Sequence, residues 1–240
     1  MKLSVNLNKI ALLRNARGEN YPNIEYFANK AIALGVDGLT LHPRPDHRHA
    51  TSNDVIKLSK LTKEKGVEFN IEGNPFSKPK NEFLGFCELV EIIKPDQITL
   101  VPDSIDQITS DHGWSSGKHD DDLINVINKL KEYSNDAPIS LFVDSIEGVE
   151  YAYEMGSSLI EIHTGEFSKA IETKNVKAVD DIVKIVKLAS KLNLSVNAGH
   201  DLNLNNLSYL VDIGNINEVS IGHAIICLLY TSDAADDSPS

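Results

Sequence analysis

ISLFVDSIEGVEYAYEMGSSLIEIHT, residues 139–164, holds a complete strand–helix–strand unit. Ile139–Asp144 and Leu159–Thr164 are short, apolar and β-branched, which predicts two strands. Ser145–Met155 between them carries helical spacing. Working outward, the same alternation covers the chain. Further strands are expected at Leu3–Asn8, Gly38–His42, Val67–Glu72, Gln97–Val101, Ser195–Ala198 and Val219–Gly222. Helical patterns fit Ile24–Leu34, Asp54–Lys65, Leu84–Ile93, Asp121–Tyr133, Asn175–Leu192 and Asn205–Ile213. Near-continuous apolar strands suggest a sheet buried on both faces, and alternation with helices makes it parallel. Roughly eight such units predict an α/β fold of the closed (β/α)8 TIM-barrel type.

The bulk numbers permit this. The 240 residues are 41% hydrophobic and 24% charged, enough for a real core in one domain. The formal net charge of −12 leaves no basic stripe for a nucleic-acid partner. A few basic residues and backbone N–H groups can still form a local anion site. Cys87 and Cys227 have no metal-ligand spacing and make no disulfide framework. The first residues lack a signal-peptide pattern, and no run approaches the roughly 18 apolar residues that span a bilayer. The expected location is the cytoplasm, with no membrane partner.

Polar residues gather where the predicted strands end: Asn6 and Asn8, His42, Glu72, Glu161 with His163, Asn197 with His200, and His223. In a β/α barrel those ends converge on one face, where active sites sit. Singly, each reads as a solvated, capping or structurally paired residue; on the same ends of different strands they read together as a site. Three segments carry chemical logic. Arg14–Gly18 reads as a loop whose two arginines suit a phosphate or carboxylate, though on its own an ordinary surface loop fits as well. His42–His49 (HPRPDHRH) has five residues able to carry positive charge and reads as an anion-binding loop with an acid/base histidine. A metal site competes there, but no nearby cysteines or carboxylates complete it. NAGH (197–200) and IGHA (221–224) place small residues at the seventh and eighth strand ends, the usual phosphate position in this fold. Gly73–Lys80 and Asp103–Lys118 read as functional loops.

The segments VNLNKIALLRNARG (5–18), GLTLHPRPDHRH (38–49), FNIEGNP (69–75), LVPD (100–103), LFVDS (141–145), LIEIHTGEF (159–167), VNAGHDL (196–202) and SIGHAII (220–226) closely resemble the pyridoxine 5'-phosphate synthase family, in the family's order. The resemblance implies a (β/α)8 barrel, a homo-octamer, and no metal or organic cofactor. It implies condensation of 1-deoxy-D-xylulose 5-phosphate with 3-amino-2-oxopropyl phosphate to pyridoxine 5'-phosphate, inorganic phosphate and water. Carried over by motif, His42 and Glu72 resemble proton acceptors, His200 a proton donor, and Glu161 a residue that stabilises charge. Arg44, His49 and Thr109 resemble contacts to the deoxyxylulose phosphate; Asn6, Arg17, Asp201, Gly222 and His223 resemble contacts to the amino ketone phosphate. The chain departs from the family at Asn8-Lys9, where Asp-His is common, and at Asp201, where Gly is common. Asn8 and Lys9 remain expected substrate contacts, since Asn8 can hydrogen-bond a hydroxyl without acting as a base.

Cys227–Ser240 does not resemble the family. One barrel domain is therefore expected over 1–226, with 227–240 a disordered or foreign tail and the last helix missing or replaced. Val219 and Ile221 would then be partly exposed. Two other readings stand beside the synthase: a phosphosugar isomerase or aldolase, for which Lys9 is the Schiff-base candidate, and an inactive truncated homologue that only binds phosphorylated ligands.

Overall fold

The computed structural model describes residues 1–104, 107, 110–117, 120–173 and 176–228. Eight strands, β1 (Lys2–Asn6), β2 (Gly38–Leu41), β3 (Glu68–Gly73), β4 (Gln97–Leu100), β5 (Ile139–Val143), β6 (Leu159–His163), β7 (Ser195–Gly199) and β8 (Glu218–Ile221), form a closed barrel in sequence order. Every pair is parallel, and β1 closes on β8 through Lys2↔Glu218 to Val5↔Ile221. The chain is a (β/α)8 TIM barrel, as its sequence predicts. Around it lie α1 (Asn8–Arg17), α2 (Ile24–Ala33), α3 (Ser52–Lys65), α4 (Phe86–Ile93), α5 (Asp120–Ser134), α6 (Ile146–Glu154), α7 (Gly165–Thr173), α8 (Val176–Lys191) and α9 (Leu207–Ile213).

The outward strand faces carry the apolar load. Val5, Leu39, Leu41, Phe69, Ile71, Ile98, Leu100, Ile160 and Ile162 belong to one buried cluster with side chains from the helices. Helix α4 shows the fit: Phe86, Leu89, Val90 and Ile93, at i, i+3, i+4 and i+7, are all buried. Phe86 lies against Gly73, where a Cβ would stand 2.5 Å from its ring.

The sheet is buried on both faces, as expected, but its inner face is not apolar. Alternate residues point inward, and here most of the inward ones are polar, with Phe142 of β5 an exception. Bonds between strands that are not neighbours prove the direction: Asn197 Nδ2 donates to Gln97 Oε1 (3.1 Å), and Thr99 Oγ1 to Glu161 Oε2 (3.4 Å). Ser4 and Thr40 share a 2.7 Å bond, and Asn70 Nδ2 donates to Thr99 Oγ1 at 3.1 Å. Most of these polar side chains satisfy one another, while Gln97 Nε2 and Ser140 Oγ are buried without a partner among the described residues.

Three further expectations change. Arg14–Gly18 is not a loop: α1 runs through Arg17 and ends at Gly18, whose φ of 74° is the left-handed stop that glycine adopts freely. Helix α7 was not expected, although Phe167, Ala170 and Ile171 have helical spacing. Val219 and Ile221 are buried, and residues 223–228 are helical, with Ile226 buried against the core. A short helical segment thus follows β8 directly, and the face expected to be bare is buried. The rest of the tail, 229–240, lies outside the described residues.

Candidate active site

One cavity of about 500 Å³ opens at the C-terminal ends of the strands, a size suited to a small-molecule ligand. Asn6, Asn8, Lys9, His42, Arg44, His49, Glu72, Glu161, His200, Asp201, Gly222 and His223 all line it. Of the residues singled out from sequence, Arg17 is exposed at the end of α1 and is not among the lining residues, and Thr109 lies outside the described residues.

At the floor, His42 stands between two carboxylates. Its Nδ1 lies 3.9 Å from Glu72 Oε2, and its Nε2 lies 3.9 Å from Asp103 Oδ2. The His42 backbone N–H donates to Asn8 Oδ1 (2.9 Å), and the Asn8 N–H donates to Asn6 Oδ1 (3.0 Å). Asn6 Nδ2 reaches Glu72 Oε2 at 3.5 Å. Asn8 thus begins α1 and sets the backbone at the end of β2. Burial and the neighbouring Asp103 charge push the Glu72 carboxyl up to about 8. Burial and Glu72 also drive Glu161 well above the usual carboxylate range. Burial and the Arg44 guanidinium hold His42 well below the ordinary imidazole value. At neutral pH the floor therefore holds a neutral His42 imidazole and Glu72 and Glu161 carboxyls that retain their protons.

One wall carries the guanidinium of Arg44, with Arg48 behind it, each paired with a carboxylate, Asp103 and Asp46. Arg44 pairs with Asp103 through Nη2 and donates from Nη1 to the Gln107 carbonyl at 3.1 Å; Arg48 Nη1 reaches the same carbonyl at 2.8 Å. Ser110 Oγ donates to Asp103 Oδ2 (2.7 Å), and Asn74 Nδ2 to the Asp103 carbonyl (2.8 Å). Asp103, which sequence reasoning passed over as a loop residue, thereby ties β2, β3 and β4 ends together. His49 faces His42 at 5.9 Å between ring centres, and burial with Arg44 lowers it to about 4.

The opposite wall is built from β6, β7 and β8. His200 packs edge-on to His163 at 5.1 Å and against Phe142 at 4.9 Å. Burial, then His163 and Arg44, lower His200 to about 3. His200 and Asp201 have φ of 80° and 56°, sparsely populated for residues with a Cβ. The turn is pinned from β6 and α7. Thr164 Oγ1 lies 2.6 Å from the Gly199 carbonyl and 2.5 Å from that of His200, and Ser168 Oγ donates to the Asp201 carbonyl at 3.0 Å. Asp201 thus takes the left-handed backbone that its substitution for glycine made harder. Gly222 has no such freedom to lose: a Cβ there would stand 2.9 Å from the Asn6 carbonyl, so only glycine lets β8 pass this close to β1. Ser168 and Lys169 also line the cavity and were not anticipated, because α7 was not; Ser220, within the expected eighth strand, lines it too. Among the described residues no group of three or more His, Cys, Asp or Glu is placed to hold a metal ion, and no helix is long and apolar enough to cross a membrane.

Acid–base groups buried beneath basic and Gly-rich strand ends define a β/α-barrel enzyme with its site at the standard face. Comparison makes the class particular. The model of the family described as "Pyridoxal phosphate biosynthesis protein PdxJ" matches residues 3–231, running past the residue 226 at which the motifs stop. A curated relative from Xylella fastidiosa (strain M23), named "Pyridoxine 5'-phosphate synthase", is 43% identical over 228 residues, covering 94% of this chain and 87% of its own. One of the same name from Christiangramia forsetii is 44% identical, covering 94% and 91%. The chain belongs to this family. Among solved structures, deoxyribose phosphate aldolase from Aeropyrum pernix superposes with a TM-score of 0.60 at 13% identity, covering 93% of this chain and 86% of that one, which is a likeness of fold alone.

Proposed function

We propose that the chain is a pyridoxine 5'-phosphate synthase that condenses 1-deoxy-D-xylulose 5-phosphate with 3-amino-2-oxopropyl phosphate, releasing inorganic phosphate and water. The observation that carries this reading is the single cavity in which His42, Glu72, Glu161 and His200 lie between a basic wall and a Gly-rich wall. Two phosphorylated substrates need two anion sites, and ring closure needs protons moved at several atoms between them.

Arg44 and His49, with Asn8 and Lys9, suit the deoxyxylulose phosphate. Asn6, Asp201, Gly222 and His223 suit the amino ketone phosphate, whose ammonium group the Asp201 carboxylate complements. Glu72, with its proton lost near pH 8, is placed to accept protons together with His42. His200 is held neutral by its burial, so it donates either its neutral N–H or a proton gained once phosphate charge arrives. Glu161, on the barrel floor, stabilises charge that develops on the closing ring. Lys9 is exposed on α1 rather than buried at a strand end, which disfavours a Schiff-base aldolase. The family resemblance extends the proposal to a homo-octamer working in the cytoplasm without metal or organic cofactor. The test is incubation with both substrates and detection of pyridoxine 5'-phosphate.

A further inference from the structure

The loop between β2 and α3 carries His42, Arg44 and His49 into the cavity, yet it is held by a residue of another element that does not line the cavity. Asn15, on α1, donates from Nδ2 to the carbonyls of His47 (3.0 Å) and His49 (2.8 Å). Its Oδ1 accepts from Arg14 Nε (3.1 Å) and Nη2 (2.9 Å). A side-chain amide offers two N–H groups and two lone pairs, so all four of its hydrogen-bonding positions are engaged. Arg14 in turn grips Asp54 through both oxygens, at 2.5 and 2.8 Å, with both side chains largely buried. Asp54 closes the capping box of α3 with Thr51, where the loop ends. Burial alone would raise the Asp54 carboxyl, but the Arg14 and Thr51 bonds bring it below its usual value. The middle and the end of the loop are therefore tied to two adjacent residues of α1.

We propose that Asn15, locked by the Arg14–Asp54 pair, is a positioning residue that fixes the loop bearing Arg44 and His49 in its binding geometry for the deoxyxylulose phosphate. The proposal rests on the functional reading above. It also explains why an Arg-Asn pair stands on a helix whose remaining arginine, Arg17, is exposed. A planar amide reaches the loop carbonyls of His47 and His49, two residues apart, only if its own plane is fixed, and the guanidinium of Arg14 fixes it.

Two variants test it. Asn15→Leu nearly conserves volume and removes all four bonds. Asn15→Asp keeps the acceptor for Arg14 but donates nothing and sets a carboxylate against two carbonyl oxygens. Both are expected to raise KM for the deoxyxylulose phosphate about ten-fold or more, the scale of two lost hydrogen bonds, while KM for the amino ketone phosphate stays within about two-fold. Hydrogen exchange gives a readout that needs no turnover. Amides of Arg44 and of residues 46–50, including the His47 N–H bonded to the Arg44 carbonyl at 2.9 Å, are expected to exchange about ten-fold faster, with the strands unchanged. If either variant fails to fold, Arg14→Lys, which keeps the charge toward Asp54 and frees Asn15, is expected to move the same KM by a smaller factor. Equal rises in both KM values, or unchanged exchange of those loop amides, would overturn the positioning role. Absence of product from the unmutated protein would instead overturn the functional reading and leave the exchange result to decide the clamp.

Discussion

Glu72 concentrates the electrostatic argument at the scale of a single residue. Its carboxyl is buried beside Asp103 and His42 and stays protonated up to about pH 8. As a base it works only once deprotonated, so kcat/KM is expected to rise with pH toward about 8. The value belongs to the coupled set with Glu161 and the histidines rather than to one carboxyl. Glu72→Gln keeps shape and removes the titration. It is expected to lower turnover by about 10²–10⁴-fold and to flatten that alkaline rise. The check is a pH profile of both proteins with saturating and limiting substrate. Turnover near that of the unmutated protein in Glu72→Gln would remove the residue from the proton transfers.

At the scale of elements, the site depends on turns that latch onto one another. Thr164, at the end of β6, holds the carbonyls of Gly199 and His200 at the end of β7. Thr164→Val preserves volume but removes the hydroxyl proton; the Gly199 carbonyl keeps the Thr164 backbone N–H at 2.8 Å, so the loss falls on the His200 carbonyl and costs about 1–3 kcal/mol. The left-handed backbone at His200 and Asp201 should then relax, so turnover is expected to fall together with the melting temperature. Circular dichroism melts and steady-state assays follow the two effects. This coupling also shows what the sequence could disclose. Strands announce themselves because a buried outward face demands apolar residues, as in Phe69-Asn70-Ile71, and strand-end polars such as His42 and Glu72 stand out against them. Helix α1 does not announce itself, because its face against α3 is held by Arg14–Asp54 rather than by hydrophobic periodicity. The inward residues Ser4, Asn70 and Thr99 look like accidents along the chain and make sense only once the barrel brings them together. Asp103 was hidden for the same reason: its partners Arg44, Ser110 and Asn74 meet it only at the strand ends.

For the whole molecule, burial of opposite kinds of titrating group sets a narrow pH range of stability. Glu72 and Glu218 both hold their protons to about pH 8, so the folded state binds more protons than the unfolded chain above about pH 4.5. Stability from their neutral forms is complete below that value and is lost as pH rises through 8. His49 and His200, lowered to about 4 and 3, act with the other sign. The stability they contribute is present above about pH 6.5 and is lost as pH falls through those values. The melting temperature is therefore expected to peak in mildly acidic buffer and to be lower at pH 8.5 than at pH 6. Glu72→Gln should melt at temperatures that gain on the unmutated protein steadily from pH 4.5 to 8. Scanning calorimetry of both across that range reads the sign directly, and a constant difference would mean that Glu72 does not titrate in the window. The most direct test of the central claim remains chemical. The protein is incubated with 1-deoxy-D-xylulose 5-phosphate and 3-amino-2-oxopropyl phosphate, and pyridoxine 5'-phosphate and inorganic phosphate are followed together. The account predicts that both products form in equal amounts and only when both substrates are present; absence of the ring product, or phosphate release from either substrate alone, would contradict it.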